Sequence, residues 1–262
     1  MRNLNIDTVQ SHITSWLLNY ITKSEMKAFV VGVSGGIDSA LTSALCASTG
    51  IRTIVVSLPI RQEAKQLARA NKHIEWLKMN FSNVESIEVD LTIVFNNFEK
   101  LFTDNFSSDL AFANSRSRLR MTALYQVAGS VSGLVVGTGN KVEDFGVGFY
   151  TKYGDGGVDI SPIADLLKSE VKILAEGIGI IQEIIVAKPT DGLWGDDRTD
   201  EDQIGATYDE LEWAMNYCEN SNPFNQSSLS IRQTEVLNLY RDLNLRNQHK
   251  MKPIPICIIN KE

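Results

Sequence analysis

No run of apolar residues in this chain approaches the ~20 that a membrane-crossing helix needs. Its opening segment, Met1–Thr8, also lacks the apolar core of a secretory signal. Cysteine is scarce. Cys46, Cys218 and Cys257 are far apart and form no CxxC pair, the pattern of reduced thiols in a cytoplasmic protein rather than of a disulfide framework. Positive charge is in deficit, with 25 Lys and Arg against 32 Asp and Glu and a formal net charge of −7. Bulk charge therefore argues against a nucleic-acid partner. There is no internal repeat and no low-complexity segment. The length, 262 residues of which 43% are hydrophobic, suits one α/β domain over residues 1–262 with small extensions.

What is present is a repeating alternation of buried strands and amphipathic helices. The apolar runs Ala28–Val33, Ile51–Leu58 and Leu134–Val136, and the short segment Ser86–Val89, read as strands. Between and around them, Val9–Ile21, Ala40–Ala47, Gln62–Lys78, Leu91–Phe102 and Ser115–Val131 read as helices. The pattern predicts a doubly wound parallel sheet with flanking helices, Rossmann-like in build. Ligands in such sheets sit beyond the carboxyl ends of the strands, so the loops after Val33, Leu58 and Val136 are expected to wall one site. Further along, Lys168–Ala175 and Ile231–Leu243 read as helices. Thr199 is expected to cap a helix on which Ile204, Tyr208, Leu211 and Met215 share a face.

The most informative segment is Val-Ser-Gly-Gly-Ile-Asp-Ser, Val33–Ser39, between the first strand and its helix. A strand, a glycine turn and a helix start aim backbone N–H groups and a helix dipole at one spot, which suits a polyphosphate. Gly35 and Gly36 permit close approach, and Ser34 and Ser39 add hydroxyls. Asp38 would repel phosphate unless a divalent cation came between them, and Mg²⁺ favours such a mix of carboxylate and phosphate oxygens. No Gly-Lys-Ser/Thr ends the loop, so it is not a Walker A motif. Position 34 is serine, so the register of a Gly-x-Gly-x-x-Gly dinucleotide fingerprint fails.

The loop resembles the pyrophosphate loop of the N-type ATP pyrophosphatases, the SGGxDS group, whose members cleave ATP between the α and β phosphates and share an adenine nucleotide alpha-hydrolase-like fold. Sulfur-transferring members of that group carry dedicated cysteines, and this chain's three do not fit that use. The string Tyr-Thr-Lys-Tyr-Gly-Asp-Gly-Gly-Val-Asp, Tyr150–Asp159, is similar to the signature of ammonia-dependent NAD synthetases. Arg118-Leu-Arg-Met121, Gly137-Thr138-Gly139-Asn140, Lys188-Pro189-Thr190 and His249-Lys250 resemble further motifs of that family, in its order.

The resemblance implies that Ser34, Gly35, Gly36, Ile37, Asp38 and Ser39, with Thr138, Lys168 and Thr190, contact ATP. Asp38 and Glu143 would bind Mg²⁺. Arg118, Lys152, Asp159, His249 and Lys250 would hold deamido-NAD. From Glu143 to Lys152 the chain is one residue longer than the family spacing, and Asp144 is an alternative to Glu143 as the metal carboxylate. On a helix Arg116 and Arg120 share a side and Arg118 faces away. The implied reaction is ATP-dependent amidation of deamido-NAD by ammonia through an acyl-adenylate, giving NAD, AMP and pyrophosphate. Asp155 is a candidate acceptor for the ammonium proton. The chain has no room for a glutaminase domain, so free ammonia is the expected nitrogen source. The acidic segment Asp191–Asp202 is expected to close over the site. The family also implies a homodimer.

Overall fold

The computed structural model describes residues 5–190, 192–193, 198–220 and 229–259. Four strands form one parallel sheet: β1 (Ala28–Gly32), β2 (Thr53–Ser57), β3 (Val84–Glu88) and β4 (Gly133–Val135). Their order is β3-β2-β1-β4, with Val30 level with both Ile54 and Val135. The chain winds outward from β1 through β2 to β3, then returns to place β4 on the other side of β1. The point where the order reverses lies between β1 and β4, where neighbouring loops diverge and leave a crevice.

Both faces of the sheet are covered. Successive strand residues point to opposite sides, so Phe29 and Val31 enter one core and Val30 enters another. On the first face lie α1 (Ile6–Lys23), α2 (Ile37–Ser48), α3 (Ala64–Asn80) and α6 (Lys168–Ile178), which contribute Leu17, Leu41, Leu45, Leu77 and Leu174. On the second face lies α5 (Asp109–Val131), with Leu124 and Ala128 against Val30, Ile54 and Val135. A short helix, α4 (Thr92–Glu99), precedes α5. Strands β1, β2 and β4 are buried, mostly apolar runs because neither of their faces meets water, whereas the edge strand β3, Val-Glu-Ser-Ile-Glu, is largely exposed beyond Val84. At β1 the last residue is Gly32, whose missing side chain leaves room for Leu124.

A smaller second core sits at the carboxyl edge of the sheet. It joins a π-helical turn (Val142–Val147) to α9 (Tyr208–Asn220) and α10 (Ile231–Met251) through Val142, Val147, Leu211, Met215, Val236 and Tyr240. Two short helices, α7 (Gln182–Ile185) and α8 (Asp200–Ile204), lead into it. The π turn winds one residue more than an α turn, and it falls where the chain exceeds the family spacing by one residue.

The expected strands and helices are all found, with shifted ends. Helix α5 begins at Asp109 rather than Ser115, because the Ser108 side chain caps it through the N–H of Ala111. Helix α10 runs to Met251 rather than Leu243, which places His249 and Lys250 in its last turn. The helix expected after Thr199 is two helices. Gly205, at φ +91°, ends α8, and Thr207 and Glu210 bond reciprocally to start α9. Ile204, Tyr208, Leu211 and Met215 are nevertheless all buried in one cluster. No described helix is long and apolar enough to cross a membrane.

Candidate active site

The loop that follows β1 wraps the amino terminus of α2. Gly36 is the N-cap of α2 and offers no side-chain bond to its first turn, so first-turn N–H groups remain available to an anion. The loop is tied internally. The Ser34 and Ser39 hydroxyls are 3.0 Å apart, the Ser34 N–H donates to Ser39 Oγ at 3.2 Å, and the Gly36 N–H donates to Ser34 Oγ at 3.2 Å. Gly35 has φ +82°, and a Cβ there would lie 2.6 Å from the Gln66 carbonyl oxygen on α3. Only glycine fits both the backbone and the space.

Asp38 leads into the charged centre of the site. Lys168, at the start of α6, donates to Asp38 Oδ2 at 2.5 Å and to Glu143 Oε1 at 3.0 Å. All three side chains are largely shielded from water. Asn140, fully buried, donates to Asp38 Oδ1 at 3.1 Å, and its own Oδ1 accepts from the N–H groups of Val142 and Glu143. The loop after β4 is thereby fastened to the loop after β1. The Tyr208 hydroxyl donates to Glu143 Oε1 at 2.6 Å, and the Lys168 ammonium lies 4.8 Å from the Tyr208 ring centre.

These contacts set the protonation of the cluster. Burial opposes ionisation of Lys168, yet Asp38 and Glu143 outweigh it and raise its pKa. Burial likewise opposes ionisation of Glu143, but Lys168, the Tyr208 hydroxyl and Asn140 bring its carboxyl below the ordinary range. Asp144 faces the other way. Burial, with Glu143, Asp155 and Asp38 nearby, pushes its carboxyl up to about 8.

A cavity of about 520 Å³ collects most of the residues expected to act. Ser34, Gly35, Gly36, Ile37, Asp38, Ser39, Thr138, Glu143, Lys168 and Thr190 line it, as do Asp144, Asp155 and Lys250. Asp155 Oδ1 accepts from Ser117 Oγ at 2.7 Å and from the Thr151 N–H at 3.0 Å, which braces the Tyr153–Gly157 turn against α5. Lys250 donates to the Gly148 and Tyr150 carbonyls.

Arg118, Lys152, Asp159 and His249 lie outside that cavity. Lys152 Nζ donates to the His249 carbonyl, and Arg118 Nε donates to the Lys152 carbonyl at 3.3 Å. Asp159 accepts from the Tyr125 hydroxyl and the Val135 N–H. Arg116 and Arg120 do face together, Arg116 donating to the Leu193 carbonyl and Arg120 to the Leu58 carbonyl. Of the acidic segment Asp191–Asp202, Asp191 and residues 194–197 lie outside the described residues. Sequence reasoning missed Asn140 and Tyr208 as parts of the site. Asn140 was legible as the polar end of the Gly137–Asn140 turn; Tyr208 joins only through tertiary packing.

Asp38 and Glu143 already share one cation, the Lys168 ammonium, so the donor set suits Mg²⁺. Among the described residues no group of three or more His, Cys, Asp or Glu could enclose a metal unaided. Such an ion would take its other ligands from phosphate and water.

The description "NAD synthase" belongs to a family model that matches residues 9–254. The NH(3)-dependent NAD(+) synthetase of Methanosarcina acetivorans is 34% identical over 258 residues, which cover 97% of this chain and 98% of that protein. That of Mesoplasma florum is 36% identical over 204 residues, covering 77% and 81%. Among solved structures, the NMN synthetase from Francisella tularensis superposes with a TM-score of 0.85 at 29% identity, covering 98% of this chain and 100% of that one. With its Ser34–Ser39 glycine loop, its carboxylate–lysine centre and this likeness along its length, the chain belongs to the NAD synthase family, as an ammonia-dependent ligase.

Proposed function

We propose that the cavity binds ATP with Mg²⁺ and amidates deamido-NAD in two steps. The observation that carries this reading is the meeting of Asp38, Glu143 and Lys168 at the mouth of the Ser34–Ser39 loop. The N–H groups and hydroxyls of the loop hold the β and γ phosphates, and Thr138 and Thr190 contact the nucleotide. Asp38 and Glu143 hold the metal, which supplies charge neutralisation to the phosphates when bound. The nicotinate carboxylate attacks the α phosphate, and Lys168 offsets the charge that collects on the departing pyrophosphate. Ammonia then attacks the acyl-adenylate and AMP leaves. Asp155 takes the proton from ammonium, and Asp155→Asn is expected to lose activity at low ammonium. Arg118, Lys152, Asp159, His249 and Lys250 hold the dinucleotide.

The protein works as a cytoplasmic homodimer on small molecules, with ammonia taken from solution. Exposed Ile93, Val94, Phe106 and Leu110 on and beside α4 and α5 supply an apolar face for a second copy. Sedimentation at micromolar protein reads the stoichiometry.

An end-point assay with ATP, Mg²⁺, ammonium and deamido-NAD tests the reaction. NAD, AMP and pyrophosphate are expected in equal amounts. AMP without NAD would move the reading to another adenylated acid, such as that of a GMP synthetase. ATP binding without any turnover would leave a nucleotide-binding protein.

One observation favours a second substrate. The NMN synthetase from Francisella tularensis superposes along 98% of this chain with a TM-score of 0.85. Nicotinate mononucleotide would then be the acid amidated. The ratio of kcat/KM for the two acids decides between them.

A further inference from the structure

We propose that Tyr208 is the positioning residue that keeps Glu143 aimed at the metal when Lys168 moves onto phosphate, an inference that rests on the metal reading above. Lys168 and a divalent cation compete for the same two carboxylates, since Lys168 Nζ lies 2.5 Å from Asp38 and 3.0 Å from Glu143. Two cations cannot share that space without strong repulsion. A metal arriving with ATP therefore sends the ammonium toward the phosphates, and Glu143 loses one of its donors. The Tyr208 hydroxyl is neutral and meets no such conflict. Its 2.6 Å bond to Glu143 Oε1 can persist, and it leaves the second carboxylate oxygen for the ion.

Tyr208 is built to hold a fixed direction. It is the first residue of α9, and its N–H donates to Glu201 Oε1 at 2.8 Å. Its ring is 6% exposed and packs in the cluster of Val142, Val147, Leu211 and Met215. A phenol has one proton to give. Asp200 Oδ2 stands 3.5 Å away and Glu143 Oε1 stands 2.6 Å away, so Glu143 receives it. A phenol ordinarily keeps its proton at neutral pH. The same ring underlies Lys168 at 4.8 Å, a face on which the ammonium can slide without losing its cation–π contact. One side chain thus orients the carboxylate by its hydroxyl and the lysine by its ring.

The test separates the two contacts. Tyr208→Phe removes the hydroxyl and keeps the ring. Binding of Mn²⁺ to the protein with a non-hydrolysable ATP analogue is followed by electron paramagnetic resonance. Loss of a partner that orients a metal ligand costs on the order of tenfold in metal affinity, and that weakening is expected in Tyr208→Phe. Its affinity for the analogue alone and its melting temperature are expected to match the parent protein. Raising Mg²⁺ is expected to restore its kcat. Equal Mn²⁺ affinity in parent and variant would overturn the role of Tyr208 and leave the metal site standing. A parent protein that binds no Mn²⁺ with the analogue would overturn both. A fall in melting temperature and in every affinity together would reduce Tyr208 to a packing residue.

Discussion

At one end of the site Asp38, Glu143 and Lys168 are bonded to one another and largely screened from water. At the other end Arg118 and His249 stand exposed, and Lys152 is bonded to a backbone carbonyl. Both ends are proposed to bind anions, but by different physics. In the shielded cluster each charge acts in a low dielectric and is worth much more than at the surface. Such a centre is preorganised, and its members cannot be removed singly without leaving a buried charge uncompensated. The exposed set is loosely held and screened by salt. It suits recognition of a substrate half that must enter and leave, with ordering supplied by the substrate or a second copy.

Removing the shared cation is the strongest way to break that contrast. Lys168→Met leaves two buried carboxylates facing each other. Turnover is expected to fall on the order of 10³-fold, and stability by about 3 kcal/mol, read by steady-state kinetics and urea melts. Next comes the loop itself. Gly35→Ala must place a Cβ 2.6 Å from the Gln66 carbonyl at φ +82°. A loss of roughly 3 kcal/mol is expected, with ATP binding abolished in calorimetry.

At the exposed end the effects shrink. Lys152→Met is expected to raise KM for the dinucleotide roughly tenfold with kcat kept, and to leave the melting temperature unchanged. The smallest effect concerns Asp144, whose carboxyl is pushed up to about 8 in the fold against about 3.9 when unfolded. Between those values the folded state holds the extra proton, so metal-free stability falls as pH rises from 4 to 8. Asp144→Asn removes that fall. Its gain over the parent is expected to be nil near pH 4 and to grow as pH rises toward 8, measured as paired denaturation curves.

Much of this was legible along the chain, for reasons that differ by element. The central strands announce themselves because burial on both faces leaves apolar runs such as Ala-Phe-Val-Val. The Ser34–Ser39 loop is legible because positive φ and the close approach of α3 demand glycine at 35. The break between α8 and α9 was legible too and was missed. Gly205 and the Thr207–Glu210 capping pair mark it, while the spacing of Ile204, Tyr208, Leu211 and Met215 runs straight across. The two helices turn one shared face into the same small core, so periodicity alone hides the break. The start of α5 lay hidden behind a single capping serine, Ser108. What no local pattern carries is the contact of Tyr208 with Glu143, 65 residues apart, because it depends on how α9 docks on the π turn. That turn also sends the two neighbouring acids in different directions. It directs Glu143 to Lys168 and Asp144 toward Gly139, whose Cβ position its carboxylate overlaps at 2.1 Å.

The Asp38–Glu143 pair is proposed as the place where metal and nucleotide meet. The most direct measurement is a crystal structure with Mn²⁺ and a non-hydrolysable ATP analogue, with manganese located by anomalous scattering. Manganese is expected beside Asp38 and Glu143 and next to the phosphates, with Lys168 displaced onto a phosphate oxygen. Manganese bound away from both carboxylates, or Lys168 still spanning them with nucleotide present, would contradict it.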